Sequence, residues 1–412
     1  MSTTDTHTTG ALPANEKVHL GPLATRLKGL GLGAGLVCLA AALVWGLMLG
    51  DDMRRFMHSY LLAFTYFLSF ALGGLFFVLL HHLVGATWSV VVRRLAEILT
   101  GAFPVLFLLM LGIVIPLWLG NESLYLWSDH DIVEQDHLLH AKAGYLNAPF
   151  FAIRMLIYFA LWLALSRYFL KRSVEQDTSG DPALSDKMKR LSAPAMILYA
   201  VTTAWAAFDL LMSLAPHWFS TIFGVYYFAG CALSVYALLA IMSYALQRSG
   251  RLTSAISVEH YQDLGKMTNA FTLFWAYIGF SQFMLIWAAN IPEESVFYRP
   301  RMFTDWKWVS LALIILHFCI PFVGMMSRHV KRNPPLLALW CVYMLAVHLL
   351  DLYWLVMPSY SPDKVVVHPI DLLCLAGMGG LFLFGALGVA GSAKLLPVRD
   401  PRLSGSLTFI NQ

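Results

Sequence analysis

The chain has 412 residues, 58% of them hydrophobic and only 13% charged, whereas soluble domains carry about 25% charged residues. An ordinary soluble domain is therefore excluded, and the formal charge of +4 lies beside apolar runs rather than on one basic, aromatic-lined face, which argues against nucleic-acid binding. The five cysteines, Cys38, Cys231, Cys319, Cys341 and Cys374, form no CxxC or CxxCH, so they supply no ligand set for an iron–sulfur cluster and no c-type haem attachment, and no metal site is assigned.

A hydrocarbon core about 30 Å thick takes roughly 20 apolar residues per helix. Ten such stretches fall near 29–49, 58–81, 98–120, 149–170, 192–214, 218–246, 266–290, 306–327, 336–357 and 367–391. The fold class they predict is all-α, a polytopic membrane protein of two four-helix bundles with two flanking helices. Residues 1–28 are polar and lack the apolar run and small-residue cleavage site of a secretory signal, so they are expected to remain as a cytoplasmic tail. Residues 29–57 hold the first helix and an outer loop, and Gly29, Gly31, Gly33 and Gly35 there have the small-residue spacing of a close helix contact, expected with another subunit or a lipid. The first bundle spans 58–216, the second 217–358, and 359–412 holds the last helix and a cytoplasmic C-terminal tail.

With alternate loops assigned to opposite sides, most of the 28 Lys and Arg fall on the side of both termini, the densest group being Arg167, Lys171, Arg172, Lys187, Lys189 and Arg190. By the positive-inside rule both termini are cytoplasmic. The outer loop 121–148 is acidic, with Glu122, Asp129, Asp131, Glu134 and Asp136 preceding Lys142. It reads either as a solvated loop or as a docking face for a peripheral partner. A second outer loop, 291–305, holds Glu293 and Glu294.

The two bundles share a pattern. Asp209-Leu210 is followed by five residues and Pro216, and Asp351-Leu352 by five residues and Pro358. Pro194 and Pro335 stand on the cytoplasmic side of these aspartates, and the outer ends of spans three and seven match as Trp118, Asn121, Glu122 and Trp287, Asn290, Glu293, Glu294. Four helices per copy make this a parallel repeat.

Charged side chains inside a bilayer cost several kcal/mol, so ionisable residues within spans are functional candidates. At 1.5 Å per residue, Asp209 lies roughly 10 Å below Pro216, and Asp351 equally far below Pro358. Arg154 enters span four at a similar depth, and Asp371 lies just inside span ten. Together with His140, His217, Asn121, Glu122, Asn290, Glu293 and Glu294 they predict an outer polar belt. Such a belt suits a quinol, whose head group needs hydrogen-bond partners and whose oxidation releases two protons to carboxylates or imidazoles. On the inner side His81, His82, Glu97, His317 and His348 read as steps of a proton path toward the cytoplasm, or as buried hydrogen-bonding groups. Aromatic runs such as Tyr226, Tyr227 and Phe228 read as packing.

The run from Asp209 through Pro216-His217-Trp218-Phe219 to Gly230 resembles the NrfD-like, polysulfide-reductase-type membrane subunits, and among them those of bacterial alternative complex III. The segment His140 to Arg154, with Tyr145-Leu146-Asn147, and Trp275 to Tyr298, with Asn290-Ile291-Pro292-Glu293-Glu294, are similar to them as well. The chain looks more like the shorter of the two such subunits. This resemblance implies a part in a respiratory quinol:cytochrome c oxidoreductase of the bacterial cytoplasmic membrane, with quinol, for instance menaquinol, as substrate. It implies partner chains that hold the iron–sulfur clusters and c-type haems, a paralogous membrane subunit, and no haem or cluster here. Ala215 stands where such sequences usually carry an acidic residue. A secondary transporter and a structural scaffold are the alternative readings.

Overall fold

The structure, a computed structural model, describes residues 11–411; the first ten residues of the expected N-terminal tail lie outside them. Among the described residues the chain is all-helical, and ten helices are long and apolar enough to cross a membrane. They are α1 (Pro22–Met48), α2 (Arg54–Leu83), α3 (Val90–Trp118), α4 (Ala148–Ser179), α5 (Pro182–Leu214), α6 (Phe223–Arg248), α7 (Val258–Ala289), α8 (Trp306–Met326), α9 (Pro334–Ser359) and α10 (Pro369–Ala390).

Their number agrees with the apolar stretches, but several begin earlier or end later than hydropathy suggests. The first starts at Pro22 rather than residue 29. α5 starts at Pro182 instead of residue 192, because Asp181 accepts the Ala183 N–H and a proline fits the first turn. α7 starts at Val258 rather than residue 266, where Ser257 and His260 form a reciprocal cap. α4 runs on to Ser179 and stops at Gly180 with φ 66°, a left-handed cap that favours glycine. Hydropathy registers the length that lipid covers; caps decide where hydrogen bonding ends.

Two helices are irregular. α3 breaks between Thr100 and Phe103, and Pro104 opens its second segment, where a missing N–H is harmless. α8 widens into a π-helical stretch over Leu313–Cys319, just before Pro321. Proline removes a donor from the ladder there, and such widened turns often mark functional sites.

α2 is the central helix, enclosed by α3, α5, α6, α9 and α10. α2 to α5 pack on one another and α6 to α9 on one another, and the two groups meet along α2 and α6. In lipid, tails are as apolar as leucine, so close packing of small residues holds helices together. α1 illustrates this against α10: a Cβ on Gly31 would stand 2.7 Å from the Gly380 carbonyl, and one on Gly35 3.0 Å from the Gly377 carbonyl. This corrects the expected outside contact of the glycine stripe, since Gly31 and Gly35 find their partner within the chain, while Gly29 and Gly33 have open space around them.

The C-terminal tail folds back over the helix ends on the side of both termini. Leu395 N–H donates to the Val18 carbonyl at 2.8 Å, Val398 N–H to Asp177 at 3.0 Å, and Ser406 Oγ to the Trp88 carbonyl at 2.8 Å. Beneath it Arg93 pairs with Asp400 at 2.5 Å, while Arg94 pairs with Glu97 at 2.8 Å and Asp177 at 2.9 Å. Burial alone would raise the Asp400 carboxyl, but the charge and hydrogen bond of Arg93 outweigh it and hold it below the ordinary carboxylate range. Buried charges persist only when paired, and the tail supplies the counter-charge.

Candidate proton-accepting site

Both aspartates of the sequence repeat precede a 3₁₀ turn, but at different offsets: α5 tightens over Met212–Leu214, before Pro216, whereas α9 stays α-helical to Val356 and tightens over Met357–Ser359, around Pro358. The prolines that precede them differ: Pro194 lies inside α5, while Pro335 opens α9.

Their surroundings differ far more. Arg154 of α4 grips Asp209 with two parallel hydrogen bonds, Nε to Oδ2 and Nη2 to Oδ1, each 2.9 Å. The Tyr158 hydroxyl donates to Oδ2 at 2.9 Å and the Tyr145 hydroxyl to Oδ1 at 3.1 Å. Arg154 is fixed in turn by the Tyr145 carbonyl at 2.9 Å and by the rings of Tyr145 and Phe150, 3.9 and 4.4 Å from its guanidinium carbon. Four donors saturate the carboxylate, and its charge is matched by a bidentate cation. Outward of this pair lies a cavity of about 240 Å³ whose wall includes Lys142, Tyr145, Ser213, Trp218 and Phe219.

Asp351 has no cation among its hydrogen-bond partners. Trp275 Nε1 of α7 donates to Oδ2 at 3.1 Å and the Tyr226 hydroxyl of α6 donates to Oδ1. Beside it stand His348, one helical turn earlier on α9, and His317 from the π-helical stretch of α8; one ligand-type atom of each of the three lies within 4.8 Å of the others. All three residues are buried, His317 and His348 being 0% and 1% exposed. The His317 ring stacks on Trp275 with centroids 3.8 Å apart, and among the described residues neither of its nitrogens has a hydrogen-bond partner. His348 Nε2 lies 3.1 Å from Ser69 Oγ of α2, leaving Nδ1 unbonded. The ring has room because residue 230 is glycine: a Cβ there would come 2.5 Å from His348 Cε1. A carboxylate without a cation, two imidazoles with free nitrogens and a phenol can pass protons among themselves.

The remaining predicted site residues do not converge on either aspartate. Asp371 is paired with Arg55 of α2 and accepts Ser59 Oγ at 2.5 Å, so it ties α10 to α2. His217 lies 2.5 Å from Asp136; that hydrogen bond, followed by the Leu139 N–H, holds the Asp136 carboxyl below its ordinary range. Asn121 accepts from Ser123, and Asn290 caps α7 with φ 50°. Glu122, His140 and Glu293 are exposed and Glu294 is half-buried. Of the residues expected in the polar belt, Asp209 with Arg154, Asp371 with Arg55 and His217 with Asp136 form separate pairs, and Glu122, His140, Glu293 and Glu294 join none of them among the described residues. Toward the opposite end of the helices His81 bonds the Phe77 carbonyl at 2.8 Å and Glu97 is held by Arg93 and Arg94. His317 and His348, grouped with them in the sequence reading, belong beside Asp351 instead.

Sequence reasoning missed Tyr145, Tyr158 and Trp275 as donors, and took Tyr226 for packing. Tyrosine is common in these spans, so no local signal separates a phenol that packs from one that donates. No protein-family model matches the chain, and no curated protein matches it.

Proposed function

We propose that the chain is a membrane subunit of a quinol-oxidising respiratory complex and that its second bundle accepts and passes on protons released from quinol. The observation that carries this reading is the contrast between the aspartates: Asp209 is saturated by Arg154 and two tyrosines, whereas Asp351 faces two imidazoles with unbonded nitrogens and no cation. The resemblance of the strings around Asp209, Asn147 and Asn290 to NrfD-like subunits supplies the substrate class. Quinol gives two electrons to iron–sulfur and haem cofactors on partner chains and two protons to groups such as these. The cavity beside Lys142, Tyr145 and Ser213 offers a head group polar partners at the outer boundary. Both termini lie on the cytoplasmic side in this reading, by the distribution of Lys and Arg.

The complex, purified in mild detergent through a tag on this chain, is expected to bring down chains with iron–sulfur clusters and c-type haem, visible by mass spectrometry and by the haem spectrum. A chain that purifies without redox partners would contradict the proposal and favour a transporter.

A further inference from the structure

The cluster in the second bundle also has the make-up of a metal site. Two imidazoles and a carboxylate, with ligand atoms within 4.8 Å of one another and all buried, come from two adjacent helices. Ligands held about 2.1 Å from a shared ion stand closer together than that, so the three side chains would draw inward on binding. The independent sign is the unbonded nitrogens. Burying a polar atom without a partner is costly, and His317 carries two such atoms and His348 one. Their surroundings already resemble the outer shell of a metal site: Tyr226 and Trp275 orient Asp351, and Ser69 at His348 Nε2 leaves Nδ1 as the free ligand atom. The groups facing the cluster from α2, α6 and α7 are Tyr66, Ser69, Tyr226, Gly230 and Trp275, none of them a cation.

We propose that His317, His348 and Asp351 bind a borderline divalent transition-metal ion such as Zn²⁺ or Co²⁺, which displaces protons from the same lone pairs and so halts proton transfer through the second bundle. Imidazole and carboxylate together suit these ions rather than Mg²⁺ or Ca²⁺, and ligands must shed their protons to bind. Binding rests on the geometry alone; the inhibitory effect rests on the proton-accepting function proposed above.

The test is a Co²⁺ titration of the purified full chain, followed by the visible absorption of the ion and by equilibrium dialysis against Mg²⁺. One Co²⁺ per chain is expected, displaced by Zn²⁺, lost in His317→Ala and regained in His317→Cys with a new thiolate-to-metal absorption. That regain separates loss of a ligand from loss of the fold. No specific Co²⁺ in the wild type, or unchanged Co²⁺ spectra in His317→Ala, would overturn the site. In the native complex Zn²⁺ should slow quinol oxidation at least tenfold, and in His317→Ala, itself slowed by loss of a proton-passing imidazole, the remaining turnover should no longer respond to Zn²⁺. If Co²⁺ binds as expected while Zn²⁺ leaves turnover unchanged, the inhibitory role is overturned. Normal turnover in Asp351→Asn, by contrast, would remove the proton-accepting function and not the metal site.

Discussion

Asp351→Asn is expected to slow quinol oxidation, or the proton movement coupled to it, at least tenfold while the complex still assembles. Asparagine keeps the shape of the side chain: its carbonyl oxygen can accept from Trp275 while its amide donates to the Tyr226 oxygen, the two groups that donate to separate oxygens of Asp351, but it cannot take up a proton. Because Asp351 has no cation among its partners, the substitution strands no opposite charge, and the fold loses little. Tenfold corresponds to about 1.4 kcal/mol of barrier, well within what a proton-accepting group contributes. Steady-state turnover and proton release of complexes with equal subunit content give the measurement. Unchanged rates would reduce Asp351 to a packing residue and favour a scaffold.

Asp209→Asn should behave differently, although the sequence pattern makes the two aspartates look equivalent. It leaves Arg154, 4% exposed, inside the first bundle without its counter-charge, and breaking a buried pair in this way costs about 3–5 kcal/mol. The expected result is poor assembly and a lower melting temperature in detergent, with loss of turnover following loss of protein. Replacing both partners, Arg154→Met with Asp209→Leu, should recover much of the stability, since apolar side chains of similar volume can replace a buried pair. If Asp209→Asn instead assembles normally and turns over slowly, the proton-accepting role belongs to the first bundle.

The helix count and the all-α class were legible because a bilayer imposes long apolar runs, and caps such as Asp181 and Ser257 explain where the helices outgrow them. Equal spacing to Pro216 and Pro358 made the two aspartates look alike, but the helices end differently after them, at Leu210 in one and Val356 in the other. What surrounds them was not legible. His348 and Asp351, three residues apart on α9, share a face by helical spacing, but the third member, His317, comes from α8 through a π-helical stretch that shifts its register. Arg154 stood at the right depth to meet an aspartate, yet only the packing of α4 on α5 assigns it to Asp209. The charges beneath the C-terminal tail give the same lesson. Arg93 and Arg94 meet Asp400 and Asp177 only because the C-terminal tail returns across the helix ends.

The most direct measurement of Asp351 as the group that takes the proton is an infrared difference spectrum of the complex before and after quinol is added. A carboxyl carbonyl band that changes on quinol oxidation and shifts in heavy water is expected in the wild type, displaced in Asp351→Glu and missing in Asp351→Asn. The same band, unaltered in Asp351→Asn, would contradict the account and place the proton on another carboxylate.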